Sequence, residues 1–161
     1  MENRDKNSIM KFLDLSFWRR RLFALTAKIY PAFLRKVYGM DIGKGCVISR
    51  KARLDNAVNP KGVHVGDGTW ILAGAGVLSH DACRSLKTDT YVGNNCVIGI
   101  RSLIMPGVKV GDSTVVAACS VVTKNTPPHC IVAGNPAKII KTGVIVRNGK
   151  IVEPGQSVKN E

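Results

Sequence analysis

Aliphatic residues return at every sixth position through the middle of the chain. Val92, Ile98, Ile104, Val110, Val116 and Val122 hold one phase, Val65, Ile71 and Val77 an earlier one, and Ile42, Ile48 and Leu54 open the array. An α-helix repeats its apolar face about every 3.6 residues and a half-buried strand about every 2, so neither accounts for a beat of six. A solenoid does: each hexapeptide supplies a short strand and a turn, three make one circuit, and every circuit buries the face of its neighbour. An ordinary β-sandwich with evenly spaced strands is the competing architecture.

Gly or another small residue often follows the aliphatic position (Gly43, Gly66, Gly93, Gly99, Gly111, Ala117), which fits a backbone relieved at the turns. Four positions after the aliphatic come small or β-branched residues: Cys46, Ala52, Thr69, Ala75, Cys96, Ser102, Val108, Thr114 and Ser120. These are sized to fill corners beside the stacked aliphatics.

The beat slips twice. Val77 and Val92 are not a multiple of six apart, so a segment near residues 81–90 must leave the stack as a loop, the place where solenoids carry function. The slip from Leu54 to Val65 holds the turn formers Asn59, Pro60, Lys61 and Gly62 and predicts a smaller loop.

Residues 1–39 precede the repeat. From residue 8 to 38 they are rich in helix-compatible apolar residues, among them Phe12, Leu13, Phe17, Trp18, Leu22, Leu25, Ile29, Phe33 and Leu34, with Pro31 expected to break or restart the helix. Two roles stay open for this segment: a cover for the first circuit, and adsorption to an anionic bilayer through Trp18 and the run Arg19, Arg20, Arg21. After the repeat, residues 142–161 predict a hairpin, since Asn148-Gly149 between apolar runs favours a type I′ turn, with a frayed tail from residue 154.

Composition narrows the picture only a little. The 161 residues are 45% hydrophobic and 22% charged, which is globular composition. The formal charge is +13, and the first 40 residues hold nine Lys and Arg against three acids, a balance that draws polyanions or acidic surfaces. Aromatic residues are not interleaved with basic ones along the repeat, which speaks against a stacking platform for nucleic acid. Five cysteines form an odd set without zinc-site spacing, and no secretory leader is evident, so a cytoplasmic location is expected, with peripheral contact at the inner face of the membrane as its extension. Nothing reaches the roughly 20 apolar residues of a spanning helix.

His80, in Ser79-His80-Asp81, stands at the lip of the predicted loop. An imidazole titrates near neutrality and can take a proton from an attacking hydroxyl and return it to a leaving group. Asp81 is placed to orient it, though a turn role is equally open. His64 and His129 receive no role, and Cys83 is a weak candidate nucleophile.

The repeat region, about residues 40–141, resembles the hexapeptide-repeat acyltransferases, most clearly in VGNNCVIGIRSLIMPGVKVGDSTVVAACSVVTKNTPPHCIVAGNPAKIIK, residues 92–141. Within that family it is most similar to the sugar and polysaccharide O-acetyltransferases. The resemblance implies an all-β fold, a single-stranded left-handed parallel β-helix with the N-terminal helical segment and C-terminal hairpin added, against the right-handed rule for ordinary parallel crossovers. It implies acetyl-CoA as acyl donor, no metal, a saccharide acceptor in cell-surface polysaccharide synthesis, and a homotrimer with the cofactor between subunits. His80 is then the general base. Ile100, Ala118, Thr123, Lys124, Ala133 and Lys138 fall on the family's cofactor positions, with Ile100 bulkier than the usual Ala or Ser. An N-acetyltransferase of an amino sugar, a serine or antibiotic acetyltransferase, and a non-catalytic basic β-helix that holds nucleic acid or lipid are the alternatives.

Overall fold

The computed structural model describes residues 15–158. One helix, α1 (Leu15–Tyr38), precedes a chain that visits three parallel sheets in rotation. The first circuit is β1 (Asp41–Ile42), β2 (Val47–Ile48) and β3 (Arg53–Leu54), and the second is β4 (Val63–Val65), β5 (Trp70–Ile71) and β6 (Gly76–Val77). A hairpin, β7 (His80–Asp81) and β8 (Leu86–Lys87), then leaves the stack. The third circuit is β9 (Thr90–Val92), β10 (Val97–Ile98) and β11 (Leu103–Ile104), and the fourth is β12 (Lys109–Val110), β13 (Val115–Val116) and β14 (Val121–Val122). β15 (Cys130–Gly134) adds a last parallel strand to the second sheet, which β16 (Ala137–Arg147) and β17 (Lys150–Ser157) extend antiparallel.

Two-residue strands have no stability alone; their register supplies it. Ile42, Val65, Val92 and Val110 stack in the first sheet, Ile48, Ile71, Ile98 and Val116 in the second, and Leu54, Val77, Ile104 and Val122 in the third. All twelve are buried. Burying side chains of this size is worth about 1.5–3 kcal/mol each, and the gain accrues only when neighbouring circuits are present. Of the small residues expected at the corners, Ala52 alone is partly exposed; the others are buried.

The glycines after the aliphatic positions have a different reason from the one the sequence suggested. Gly43, Gly66, Gly93, Gly99 and Gly111 are not in the left-handed region. They mark places where the next circuit lies too close for a side chain: a Cβ on Gly99 would stand 2.5 Å from the Val116 carbonyl oxygen. Left-handed backbone falls two residues further on, where Gly45, Gly68, Asn95, Ser113 and His129 share one column at the edge between the first and second sheets. The same edge carries a ladder of side chains: Asp67 Oδ1 accepts from Lys44 N, Asn94 Oδ1 from Asp67 N, and Asp112 Oδ1 from Asn94 N.

Pro31 does not break the helix; it lies within α1. An interior proline costs about 3 kcal/mol, and contacts of the following turn offset it: Leu34 is fully buried, and Arg35 Nη1 donates to the carbonyls of Ile42 and Gly43 at 2.8 and 3.0 Å. The helix thus covers the first circuit. Residues 8–14, expected to begin the helical region, lie outside the described residues.

The C-terminal hairpin is longer than its sequence signal. β16 continues unbroken across residues 141 and 142, and β17 pairs as far as Ser157, where a frayed tail was expected. Asn148 and Gly149 have φ of 49° and 71°, as a type I′ turn requires. Gly149 lies on the indole of Trp70, with three strands between β16 and β5 in the second sheet, so the hairpin folds over that sheet as well as closing the last circuit.

Candidate active site

The two slips in the six-residue beat meet in space. Leu54 and Val77, the last aliphatics before each slip, pair in register on the third sheet. Asp55, which follows Leu54, and the Ser79-His80 pair, which follows Val77, therefore leave the stack at one edge, between the third sheet and the first.

His80 Nδ1 is hydrogen-bonded to Asp55 Oδ2. The carboxylate can only accept there, so Nδ1 carries a proton, and in the neutral imidazole the lone pair falls on Nε2. Nε2 makes no hydrogen bond among the described residues, and the His80 side chain is 27% exposed against 2% for Asp55. A buried carboxylate thus holds a half-open imidazole. Ser79 fixes the acid further, since its N and Oγ lie 3.1 and 2.9 Å from Asp55 Oδ2. Burial pushes the Asp55 carboxyl up, but the hydrogen bonds from His80 and Ser79 outweigh it and leave the group below the ordinary carboxylate value.

Asn59 closes the base of the hairpin. Its Nδ2 donates to the carbonyls of Ser79 and Thr88 at 2.9 and 3.3 Å, and Thr88 N donates to Ser79 O at 2.9 Å. Thr90 Oγ1 donates to Leu78 O at 2.6 Å, tying the returning strand to the departing one. A Cβ on Gly62 would overlap Asn59 Nδ2, so the glycine leaves room for the clamp.

Asp81 faces another partner. Its Oδ1 accepts from Arg84 N at 3.1 Å and its Oδ2 from Arg84 Nε at 2.8 Å, and these bonds hold its carboxyl below the usual value. The carboxylate on His80 is that of Asp55, and Asp81 shapes the hairpin turn. Sequence reasoning looked to the adjacent residue and missed Asp55, Ser79 and Asn59; the signal was present in the two slips that follow in-register positions.

The six cofactor candidates divide between two edges of the third sheet. Thr123 and Lys124 follow Val122, two circuits beyond the level of Val77, and are exposed on the edge that carries His80. Ile100 and Ala118 lie on the opposite edge, where Cys119 N donates to Ile100 O at 2.9 Å. Ala133 and Lys138 face each other across the β15–β16 turn, and Gly134 N donates to Ser120 Oγ at 3.1 Å, which sets that turn above Ala118. Within one chain the two groups are separated by a whole hexapeptide.

The remaining histidines stand elsewhere. His64 Nδ1 is 3.1 Å from Asp41 Oδ2 with its ring stacked on Tyr91, and His129 Nδ1 is 3.2 Å from Val144 O. No three His, Cys, Asp or Glu side chains gather to hold a metal ion among the described residues. All five cysteines are unpaired; Cys46, Cys96 and Cys130 are buried, and burial pushes the Cys96 thiol up to about 12.

Comparison with known proteins agrees with this architecture. The model of the bacterial transferase hexapeptide, six repeats, matches residues 89–124. Chloramphenicol acetyltransferase of Morganella morganii is 49% identical over 53 residues, 33% of this chain and 25% of that protein. The 2,3,4,5-tetrahydropyridine-2,6-dicarboxylate N-acetyltransferase of Clostridium perfringens is 42% identical over 80 residues, 50% of this chain and 31% of that one. The chain thus spans a quarter to a third of the length of these curated relatives. Among solved structures, a maltose O-acetyltransferase from Clostridium difficile 630 superposes with a TM-score of 0.55 at 25% identity, covering 69% of this chain and 73% of the other.

Proposed function

We infer that this chain, which carries the hexapeptide repeat of the bacterial transferases, is an acetyltransferase that moves an acetyl group from acetyl-CoA to a sugar hydroxyl. The observation that carries the reading is the Asp55–His80 pair, which presents an unoccupied Nε2 on the same edge as Lys124. The relatives named above are acetyltransferases, and the maltose O-acetyltransferase supports a sugar hydroxyl as acceptor. The architecture is read as a left-handed parallel β-helix, and saccharide acetylation in cell-surface polysaccharide synthesis as its setting.

In the proposed reaction the acceptor oxygen attacks the thioester carbonyl carbon while His80 Nε2 takes its proton. The carbon–sulfur bond then breaks, and the same proton passes to the departing CoA thiolate. Asp55 holds the imidazole in the productive tautomer and stabilises the imidazolium. Lys124 and Lys138 are suited to the CoA phosphates, and the small side chains of Ala118 and Ala133 leave space for the thin pantetheine arm. Bringing those two edges to one thioester calls for a second copy of the chain, which supports a homotrimer with sites shared between neighbours.

The relationship to an N-acetyltransferase favours an amine acceptor as the second reading. Thiol release from acetyl-CoA over a panel of sugars and amino sugars tests both: His80→Ala should abolish turnover, and mild alkali should remove the acetyl group from an ester product while sparing an amide. Salt-sensitive DNA binding without any thiol release would instead favour a binding module.

A further inference from the structure

The helix that covers the first circuit carries a second apolar face on its far side. Trp18, Leu22, Leu25, Ile29 and Phe33 follow one another at helical spacing and are 45–63% exposed. At about 100° per residue they form one ridge, and the buried Leu34 and Pro31 lie roughly 140–160° round the helix from it. The ridge therefore lies off the buried face of the helix, and at its C-terminal end Ile29 and Phe33 border a cleft shared with Arg50 of the first circuit. Over its length, about 22 Å at 1.5 Å per residue, its side chains stay half-exposed or more, with Phe33 packed on Tyr30 and Tyr38.

The charges of α1 are of one sign. Between Leu15 and Tyr38 there are six Arg and Lys and no Asp or Glu. By position Arg19 and Arg21 fall on either side of the ridge, about 80° from its centre, Lys36 falls along it, and Lys28 lies about 100° from its centre. Arg35 is engaged elsewhere, donating to the carbonyls of Ile42 and Gly43. Among the described residues no helix is long and apolar enough to cross a membrane.

We propose that this face of α1 docks the protein on an anionic lipid bilayer, with the ridge lying in the interface and the flanking basic residues at the headgroups. An apolar face rimmed by cations is the form of an interfacial helix, and anionic headgroups are the partner that answers both its features. A second copy of the chain answers only one, because ridge-to-ridge packing would bring two acid-free basic helices together. Docking also places the catalytic pair: Asp55 ends the first circuit, and a cleft of about 300 Å³ lined by Tyr30, Leu34, Arg53, Leu54 and Asn56 runs from α1 to the residue beside it. Acceptors presented at a membrane surface would then meet the end of the stack that holds Asp55 and His80. The docking stands independently of the transfer reaction, and its test reads binding alone.

The test is sedimentation of the full chain with phosphatidylcholine vesicles, with and without one quarter phosphatidylglycerol. The protein should pellet with the anionic vesicles, stay in solution with the neutral ones, and be released as salt is raised. Replacing both Leu22 and Ile29 by Asp should weaken partitioning by about tenfold or more, with an unchanged thermal midpoint because both side chains are exposed. Arg19→Gln with Arg21→Gln should lose about fivefold per charge on anionic vesicles only. The proposal fails if the wild-type chain ignores anionic vesicles, if the Leu22→Asp, Ile29→Asp chain pellets as wild type does, or if that substitution lowers the assembly mass in the absence of lipid, which would assign the ridge to contacts between copies.

Discussion

Replacing Asp55 by Asn changes one atom, preserves volume and removes the charge that fixes His80. The carboxylate oxygen Oδ2 takes His80 Nδ1, Ser79 N and Ser79 Oγ together. Asn can retain an acceptor for Ser79, but it no longer dictates that the imidazole proton sit on Nδ1, and it no longer offsets an imidazolium. Loss of such a partner in a serine triad costs about 10⁴ in kcat through the wrong tautomer, and a thioester, already activated, should be somewhat less demanding. The expected result is a fall in kcat of about 10²–10⁴ in the thiol-release assay, with KM for acetyl-CoA little changed. Stability should fall too, by about 1–3 kcal/mol for charge-assisted bonds to a buried group. Its pH dependence has a definite sign. The folded carboxyl lies below its unfolded value, so the unfolded chain binds the extra proton, and the contribution of Asp55 is complete above about pH 4–5 and lost as pH falls through the folded value. The stability gap between wild type and Asp55→Asn should therefore narrow on acidification. An Asp55→Asn enzyme with wild-type kcat, or an Asp81→Asn enzyme as impaired as His80→Ala, would refute the assignment.

Gly99→Ala places a Cβ 2.5 Å from the Val116 carbonyl oxygen and should cost about 1–3 kcal/mol by overpacking, whereas Gly45→Asn, in a left-handed column already held by Asn95, should leave the thermal midpoint nearly unmoved. Asn59→Ala frees the carbonyls of Ser79 and Thr88 and should raise hydrogen exchange in residues 79–88 while sparing the third and fourth circuits, as read by mass spectrometry. Lys124→Ala should raise KM for acetyl-CoA about 10-fold or more with a smaller change in kcat. In the native protein a thiol reagent should modify Cys83 and Cys119 and leave Cys46, Cys96 and Cys130 untouched until the stack opens, as peptide mapping would record.

The sequence exposes the stack because its inward positions have no freedom: each of twelve aliphatics meets another one circuit away, so the period survives wherever the chain is free to vary outside. His80 was legible for a related reason, since the beat fails next to it. Asp55 was not, because a partner 25 residues distant becomes a neighbour only once Leu54 and Val77 are laid in register, and Asp81 stood closer in sequence. The reach of β16 was hidden because its pairing depends on the exposed side of β15 and on Trp70, neither of which leaves a periodic trace. Pro31 misled through local preference, which tertiary packing of Leu34 and Arg35 overrode. The reason for the repeat glycines was equally nonlocal, as it lies in the backbone of the next circuit.

Parallel strands in a ladder are spaced by about 4.8 Å, so the stack behaves as a graduated rule. The level of His80 and that of Lys124 differ by two ladder steps, from Val77 through Ile104 to Val122, an axial offset of about 10 Å. Within the uninterrupted run from Val92 to Val122 each inward residue is set in whole ladder steps, and the excursions after Leu54 and Val77 leave the register of the later strands intact. Axial spacing along that edge is thus set in ladder steps by the backbone, while the length and sequence of the hairpin after β6 can vary without disturbing it.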